Sequence, residues 1–401
     1  MCTHLQWPPE ASVTRHPTRV TALTLRVPQR FRVGITRHQP DQPAAAAELA
    51  DWWRATYGEV WLDPHRNAWL YEQNPCLGED GPGPWICRRD GKIVGQQGEI
   101  PFDLQIGAGA DCERAVWAVD LEVDPAWRLR GVGPALMATL LEQRPIVCLL
   151  DLSDDGYAAF HGAGCADLGR LAVYRRPLDP RRALRMGGVP ASLRRLGPVV
   201  VPALRLVDGL LTAAIRATGA KLVPVDRFDE RVDQVWAAAR TAYPVMACRD
   251  LAALAWRIDQ RPDRDRLQRF YLVRRGRPLG YIVLRPTTSS GQPASVVVDY
   301  LAPPRWVAPL LLAAGRVARG EGAVSLSVKT RNARTDRSLR LAGFVRRPLE
   351  HDEDLRMMVY CANRPELAAQ LEDRDAWFVT STDSNLEFAG GPTEGDGQTP
   401  G

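Results

Sequence analysis

Four short landmarks occur twice along this chain in the same order, and this internal repeat constrains its fold more than any other feature. The first landmark, Trp-x-x-x-Gln-x-Pro, begins at Trp69 and returns at Trp256. The others are a glycine-containing turn at Gly91 and Gly276, an aspartate in an apolar run at Asp120 and Asp299, and an Ala-Gly pair ending at Gly164 and Gly343. Because ordered landmarks at similar spacing rarely arise by chance, we predict a tandem duplication.

Each copy shows the signals of the same mixed unit. Apolar runs flank the polar turns Asp90-Gly91 and Arg275-Gly276, which is typical of antiparallel hairpins. A longer strand, a helix, a strand, a final helix and a closing strand follow in both copies. The 401 residues are also enough for two or three domains. We therefore predict an α/β (α+β) fold of two mixed, mainly antiparallel sheets flanked by helices, in tandem.

The boundaries of the copies follow from Pro-rich, Gly-rich and Arg-rich stretches. We predict a disordered leader (1–40), a first domain (41–178), a linker with a helix (179–226), a second domain (227–372) and a C-terminal segment with a disordered end (373–401). The linker is best interpreted as a connector whose helix, near 203–217, packs across both copies. The alternative is a basic amphipathic stretch, 181–216, that contacts anionic lipid.

Charge and cysteine spacing limit the classes of partner. The net charge is +5 and the arginines are dispersed, which argues against nucleic acid as a partner. Cys76 and Cys87 are the closest two of the eight cysteines, so there is no CxxC metal motif and we expect no metal. Several cysteines lie in apolar runs, where a reduced thiol packs as a small hydrophobe, and this favours the cytoplasm. We expect no transmembrane segment, because no apolar stretch is long enough.

The stretch from Val119 to Met137 reads as a strand, a glycine-rich turn and the start of a helix. Unpaired N–H groups converge at such a helix start and attract an anion. The dinucleotide fingerprint G-x-G-x-x-G fails because its third glycine is replaced by Leu136. The phosphate loop of nucleotide hydrolases also fails, since no Lys-Ser or Lys-Thr follows at the required spacing.

What remains is Arg128-x-x-Gly131-x-Gly133, which resembles the acyl-CoA motif of the GNAT acetyltransferase superfamily. The resemblance spans about residues 45–178, with GKIVGQQGEI similar to the third strand and IVCLLDLS to the fifth. It implies a fold whose fourth and fifth strands splay apart around the pantetheine arm, with acetyl-CoA as the acyl donor. The implied CoA-binding residues are Leu121, Val123, Arg128, Leu129, Arg130, Gly131, Val132, Gly133 and Ala135.

The second copy keeps the fold signals but loses this motif. The equivalent turn reads Leu301-Ala-Pro-Pro-Arg-Trp-Val-Ala-Pro309, in which three prolines remove backbone donors and no glycine permits close approach. We predict that this degenerate copy binds no CoA and serves as an acceptor-side wall or a packing partner. The stretch from Asp375 to Asn385 resembles a Trp…Asp-Ser-Asp tail of bacterial tandem GNAT proteins, some of them linked to surface polysaccharides, with Asn385 in place of the last Asp.

Acyl transfer to an amine needs a base for the ammonium proton and often an acid for the leaving thiolate. Strand alternation puts Asp120 and Glu122 on one face, opposite Val119, Leu121 and Val123, so both carboxylates are candidates for the base or a water relay. The matching Asp299 argues instead for a structural Asp120. For the acid, Phe160 stands where the family has Tyr, which leaves Tyr157, His161 or water.

These features predict a cytoplasmic GNAT-type N-acetyltransferase. It would transfer acetyl from acetyl-CoA to the primary amine of a small molecule or amino sugar, with a surface-polysaccharide pathway as one setting. An aminoacyl- or longer-chain acyltransferase on the same scaffold is the first alternative. A non-catalytic CoA-binding or scaffold protein is the second, and Phe160 is the residue that keeps it open.

Overall fold

A computed structural model describes most of the chain. The described residues are 34–39, 42–57, 64–78, 83–107, 109, 111–179, 217–289, 291–347 and 355–384, with the isolated positions 202, 206, 209–211 and 213. Most of the predicted leader, most of the linker with its helix near 203–217, and Asn385 therefore lie outside them. The end of the predicted linker is wrong, because residues 220–225 form a strand that pairs with residues 269–274 of the second half. Among the described helices, none combines the length and apolar character needed to cross a membrane.

The first half of the chain alternates strands and helices. Its elements are β1 (Ile35–Arg37), α1 (Pro43–Tyr57), α2 (Pro64–Tyr71), β2 (Trp85–Arg89), β3 (Lys92–Ile106), β4 (Cys112–Val123), α3 (Val132–Gln143), β5 (Ile146–Leu150), α4 (Asp154–Gly162), β6 (Ala166–Arg170) and β7 (Ala172–Pro177). Strand β1 corrects the predicted leader: Ile35 to Arg37 pair with Trp85 to Cys87, so ordered structure begins before residue 41.

The second half shows a similar order. Its elements are β8 (Ala220–Val225), α5 (Arg231–Ala239), β9 (Val245–Ala247), α6 (Leu251–Leu254), β10 (Gln268–Arg274), β11 (Arg277–Ser289), β12 (Gln292–Leu301), α7 (Pro304–Gly320), β13 (Ser325–Arg331), α8 (Ala333–Leu341), β14 (Val345–Arg347), β15 (Arg356–Cys361), α9 (Pro365–Leu371) and β16 (Trp377–Thr380). A π-helical turn, Ala255–Asp259, follows α6 directly. The predicted mixed α/β fold is confirmed.

The two halves exchange one strand each. The first sheet runs β1-β2-β3-β4-β5-β15-β6, so a strand from the end of the chain lies between two strands of the first half. The second sheet runs β8-β10-β11-β12-β13-β7-β14, and β7 of the first half fills the matching place there. The predicted boundary at residue 178 is therefore wrong as a boundary between sheets, because β7 pairs with β13 and β14, which both belong to the second half.

The sheets are also joined rather than separate. Strand β9 pairs antiparallel with β3, and β16 pairs parallel with β9 and antiparallel with β13. A continuous hydrogen-bonded path therefore runs through both halves. Cys112 and Cys248 bring their sulfur atoms together at this junction. Cys148 and Cys165 are free and buried, as the expectation of reduced cysteines in apolar runs requires.

Glycines at matching positions of the repeat have matching roles. Gly91 and Gly276 turn the hairpins with φ of 77° and 79°, a region that favours glycine. A Cβ on Gly95 would lie 3.1 Å from a β4 carbonyl oxygen, and one on Gly280 would lie 2.8 Å from a β12 carbonyl oxygen. Both strands thus need glycine for close backbone approach, which supports the duplication that we predicted.

Candidate functional site

A gap opens between β4 and β5 because the two strands pair over only part of their length. Their parallel pairing ends at Ala118 and Leu149, whereas β4 continues to Val123. The departure coincides with a bulge between β3 and β4, where Asp120 takes a left-handed φ of 51°. Bulges bend a strand and redirect its side chains, so this one accounts for the splay.

The bulge also changes which side chains share a face. Val119 packs with Trp69 and Trp117, whereas Leu121 and Val123 pack under α3. Regular alternation would have put Val119, Leu121 and Val123 together, so that prediction is wrong at Asp120. No local pattern predicted this bulge, because an aspartate in αL conformation has no composition signal of its own.

The turn between β4 and α3 has the geometry of an anion site. Leu129 and Gly131 take positive φ values of 60° and 92° before the helix begins at Val132. In the described part of the chain, the backbone N–H groups of 129 and 131–133 donate to no other group. A Cβ on Gly133 would meet only Val123, at 3.7 Å, so a ligand can approach the backbone closely. The turn therefore fits a pyrophosphate.

The predicted CoA-binding side chains differ in what they offer. Val132 and Ala135 are buried under the turn, so only their backbone faces a ligand, and the side chain of Leu129 is fully exposed. Arg128 donates to Glu122 at 2.9 Å and Arg130 lies 5.4 Å from the ring of Trp127. Both arginines keep a positive charge beside the turn, and Glu122 is the carboxylate that orients Arg128.

Asp120 lies at the base of the gap, held by residues that the sequence did not point to. Its Oδ2 accepts a hydrogen bond from the Tyr71 hydroxyl at 3.0 Å, and Arg66 Nη2 lies 3.8 Å away. Gly98 makes this possible, since a Cβ there would lie 2.5 Å from the Tyr71 hydroxyl oxygen. The side chain of Asp120 is 10% exposed.

The acid candidates lie on α4, which follows β5. Phe160 is fully buried in the apolar cluster under α4. Tyr157 is half-buried, stacks on His161 at 5.8 Å and lies under the guanidinium of Arg356 at 4.6 Å. His161 itself is exposed on the last turn of the helix. Of the three, Tyr157 is the one whose side chain combines partial burial with a titratable group.

The corresponding gap of the second half is filled by the chain itself. Strands β12 and β13 pair in parallel only as far as Val297 and Val328, and β16 then pairs with β13 through Thr380. The residues from Trp377 to Ser384 are all buried. The C-terminal segment thus lies where a second pantetheine arm would have to enter, a feature that no local sequence signal predicted.

Asp299, the counterpart of Asp120, is locked in this filled gap. It accepts hydrogen bonds from Tyr281 at 2.7 Å and from Thr380 at 2.8 Å, and Arg249 lies 3.3 Å away. Arg249 also donates to Asp383 at 2.6 Å. Burial raises the pKa of Asp299, against the opposing charge of Arg249. Tyr281 occupies the repeat position of Gln96, so the two aspartates are held by tyrosines from different elements.

Comparisons with known proteins agree with this geometry. A profile of the acetyltransferase (GNAT) family matches residues 46–144. A search of curated proteins returned no match. No group of three His, Cys, Asp or Glu side chains that could hold a metal was found among the residues described.

Three solved structures share the fold across both halves. A GCN5-related N-acetyltransferase from Anabaena variabilis ATCC 29413 matches with a TM-score of 0.56 and 13% identity, over 82% of this chain and 72% of its own. A conserved protein of Enterococcus faecalis V583 matches with a TM-score of 0.54 and 12% identity, over 82% of this chain and 72% of its own. N-myristoyltransferase of Saccharomyces cerevisiae with bound myristoyl-CoA matches with a TM-score of 0.50 and 11% identity, over 82% of this chain and 78% of its own. Residues 46–144 are therefore a domain of the GNAT acetyltransferase family, set in a chain with a GNAT-type mixed α/β fold.

Proposed function

We propose that this chain is an acyl-CoA-dependent N-acyltransferase whose first half binds the donor. The observation that carries the proposal is the open gap between β4 and β5, which leads to the free N–H groups of 129 and 131–133. A pantetheine arm can add to the unpaired part of β4 as an extra strand, with its pyrophosphate at the start of α3. The second half supports a single site per chain, because β16 fills its gap.

Acetyl is the simplest acyl group for this site, transferred to the primary amine of a small molecule or amino sugar. The likeness to a protein with bound myristoyl-CoA keeps a longer chain as the specific alternative. The acyl length that the site accepts depends on the depth of the pocket beyond the thioester. A series of acyl-CoA donors of increasing chain length measures that depth. The acceptor class and any surface-polysaccharide role rest on the sequence resemblance alone.

Asp120 is our candidate for the base, ahead of Glu122. An amine attacks a thioester only after losing its ammonium proton, and a carboxylate at the base of the gap can accept it directly or through water. Glu122 is less suited because Arg128 already engages it. Tyr71 and Arg66 act as positioning residues, since both hold the Asp120 carboxylate from one side.

Tyr157 is our candidate for the acid, ahead of His161. The hydroxyl of Tyr157 has no hydrogen-bond partner within the described residues, and its ring is fixed between His161 and Arg356. A phenol O–H held in this way can donate its proton to the thiolate sulfur of the leaving CoA. His161 is exposed and less constrained.

The role of the second half and the cellular location are the remaining parts of the proposal. The second half suits the role of an acceptor-side wall, because its gap is filled and its turn from Leu301 to Pro309 is rich in proline. A cytoplasmic location is also proposed from the sequence. Disulfides rarely persist in a reducing cytosol, so Cys112 and Cys248, whose sulfur atoms meet in the folded chain, should react there as free thiols. Thiol labelling of these two residues in the native cells tests the location, and protection of both as a disulfide would contradict it.

The direct test is turnover of acetyl-CoA, read as thiol release, across a panel of amines that includes nucleotide-activated amino sugars. We expect release that depends on both acetyl-CoA and one class of amine, and that falls about 100-fold in Asp120→Asn. Longer acyl-CoA donors run in parallel decide acyl length. CoA binding without turnover on any donor would favour the non-catalytic scaffold instead, and absence of CoA binding would contradict the whole proposal.

A further inference from the structure

A basic surface lies at one edge of the second sheet, where a hairpin and a helix meet the first turn of α7. The guanidinium of Arg274, at the end of β10, stands 5.9 Å from the ring centre of Trp306 in that turn. Ser338 of α8 donates to the carbonyl of Pro304, in the same turn, at 3.3 Å. The hairpin between β10 and β11, the start of α7 and helix α8 therefore form one continuous surface.

Each of these three elements presents arginines to solvent. The six exposed side chains are Arg274, Arg275 and Arg277 of the hairpin, Arg305 of α7, and Arg334 and Arg337 of α8. None of the six forms an ion pair with a carboxylate of the described residues, whereas nearby Arg269 pairs with Asp259 and Arg340 with Asp336. The surface therefore keeps six positive charges available to a partner.

Acidic side chains that could neutralise these charges are scarce. The segments 270–280, 301–309 and 333–346 contain one carboxylate among them, that of Asp336. Asp336 is already engaged, because it accepts from the hydroxyl of Tyr174 and from Arg340 at 2.9 Å. Clustered charges of one sign raise the local concentration of partners of the opposite sign, so this surface favours an anion.

The start of α7 offers no compact site for a single phosphate. Pro303 precedes the helix and Pro304 opens it, and neither has an N–H to donate. The arginines come from separate elements and form no pocket around this point, so their field is broad. A broad positive field suits an extended anionic surface better than a small anion.

Apolar side chains accompany the arginines on α8 and just after it. Leu341 lies one helical turn beyond Arg337 and is 57% exposed. Val345, four residues further along, is 67% exposed. Exposed leucine and valine beside arginine are typical of a membrane interface, where the apolar groups enter the acyl boundary and the cations remain with the headgroups. A purely electrostatic contact with nucleic acid would not use them.

We propose that this surface docks the chain on a membrane that contains anionic phospholipid. The arginines of the hairpin, of α7 and of α8 bind the headgroup phosphates, and Leu341 and Val345 enter the interface. The surface is separate in sequence from the basic linker stretch 181–216. It contains no residue of the donor turn, so the proposal does not rest on acyl transfer.

Co-sedimentation of the full chain with vesicles tests the docking. Phosphatidylcholine with about 30% phosphatidylserine is the anionic probe, and pure phosphatidylcholine is its neutral match. We expect at least about tenfold higher affinity for the anionic vesicles in about 0.1 M salt, and loss of most of that binding in about 0.5 M salt, because salt screens the charges. Equal binding to both kinds of vesicle, or binding to neither, would overturn the proposal.

A pair of double variants assigns the binding to this surface. Arg275→Glu with Arg277→Glu reverses two charges at the hairpin and is expected to weaken vesicle binding about 25-fold or more, at about fivefold for each arginine. The control, Arg266→Glu with Arg316→Glu, makes the same change in net charge at exposed positions. Arg266 precedes the opposite end of β10, and Arg316 lies about three turns into α7.

The control double variant is expected to lose less than about fivefold in affinity. Melting temperatures identify any variant that fails to fold. Equal losses in the two folded double variants would mean that net charge alone governs the binding, and would overturn the assignment to this surface.

Leu341→Ser separates a membrane from another polyanion. It removes an apolar group without changing charge, so vesicle binding is expected to weaken about threefold or more. Duplex DNA is the competing probe, and its binding should be weaker than that of anionic vesicles at the same salt concentration. Tighter binding of DNA, together with vesicle binding that is unchanged in Leu341→Ser, would assign the surface to nucleic acid and overturn the proposal.

Discussion

Trp69 and Trp256 stack on each other at 4.9 Å between ring centroids, and each indole N–H donates to the main-chain carbonyl of the other, at 2.8 and 2.9 Å. They stand 187 residues apart at matching positions of the repeat. The contact is reciprocal, as expected where two related units meet around a local twofold axis. Both rings are buried, so this pair lies at the centre of the junction between the halves.

The first prediction is that this pair couples the two halves energetically. Trp69→Ala and Trp256→Ala are each expected to lower the free energy of unfolding by about 3–5 kcal/mol, because each leaves a cavity and an unpaired carbonyl. The double variant should cost less than the sum by about 1 kcal/mol, since the stacking is lost only once. Urea unfolding measures all three.

Trp236→Phe is the control for that cycle, because Trp236 packs in the separate core of the second half. Combined with Trp69→Ala, it is expected to be additive within about 0.5 kcal/mol. Full additivity of the Trp69 and Trp256 changes as well would mean that the pair contributes no coupling.

Local sequence signals were enough for the repeat, the hairpins and the donor turn. Gly91, Gly131 and Gly276 have the left-handed backbone that only glycine adopts easily, and such positions leave a readable mark. The exchange of β7 and β15 between the two sheets left no such mark in the sequence. Strands β7 and β15 are both six residues long, and a strand's composition does not say which of two similar sheets it joins.

The candidate site was predicted in part for the same reason. The Arg128-x-x-Gly131-x-Gly133 motif lies within one turn of chain, so its geometry follows from its own residues. Tyr71 of helix α2 reaches Asp120 of strand β4 across Gly98, and no rule of sequence spacing connects these three residues. The filling of the second gap by β16 also depends on contacts far apart in sequence.

The second prediction concerns the donor turn. Gly133→Glu is expected to lower CoA affinity more than about tenfold, because it puts a negative charge beside the free N–H groups. The melting temperature should hardly change, since the space above Gly133 is open. Gly133→Ala is the control and should bind CoA far better than the Glu variant. Calorimetry that finds two equivalent CoA sites in the wild-type chain would contradict the single-site proposal.

The third prediction separates the two aspartates of the repeat. Asp120→Asn is expected to slow turnover about 100-fold while CoA affinity stays nearly unchanged, with a loss of roughly 1 kcal/mol in stability. Asp299→Asn should instead lower the free energy of unfolding by about 3 kcal/mol, because Arg249 is buried and loses one of its two carboxylates. Normal turnover in a stable Asp120→Asn protein would move attention to Glu122.

The fourth prediction uses the buried Glu99, which accepts from Arg144 at 2.7 Å and from Arg37 at the same distance. Burial raises the pKa of Glu99, but the hydrogen bonds of Arg144 and the charge of Arg37 outweigh it and hold that pKa below its ordinary value of 4.5. A lowered folded pKa contributes stability above the unfolded pKa, and this is lost as pH falls through the folded one.

Glu99→Gln is therefore expected to cost about 2 kcal/mol of unfolding free energy at pH 7. The difference in unfolding free energy between wild type and Glu99→Gln should shrink below pH 4.5. Glu99 takes up a proton in the unfolded chain near that pH, and in the folded chain at a still lower pH. Urea unfolding at pH 7 and at the lowest pH where both proteins stay folded measures it. A constant difference at both pH values would show that packing, rather than charge, is what the substitution removes.

The last prediction follows from the exchanged strands. A fragment of residues 1–180 lacks β15, whose Met357 and Val359 are buried between β5 and β6, and it carries an unpaired β7 with Val173 and Tyr174 exposed. We expect it to aggregate and to lack cooperative unfolding. Co-expression with residues 181–401 should restore a complex that co-purifies and binds CoA. A variant fragment in which the sequence of 356–361 replaces 172–177 supplies the missing strand in cis and should be more soluble than the native fragment. If residues 1–180 alone form a monomer that unfolds cooperatively, the strand exchange is not needed to complete the first sheet, and a sheet with β7 in its own half becomes the better description.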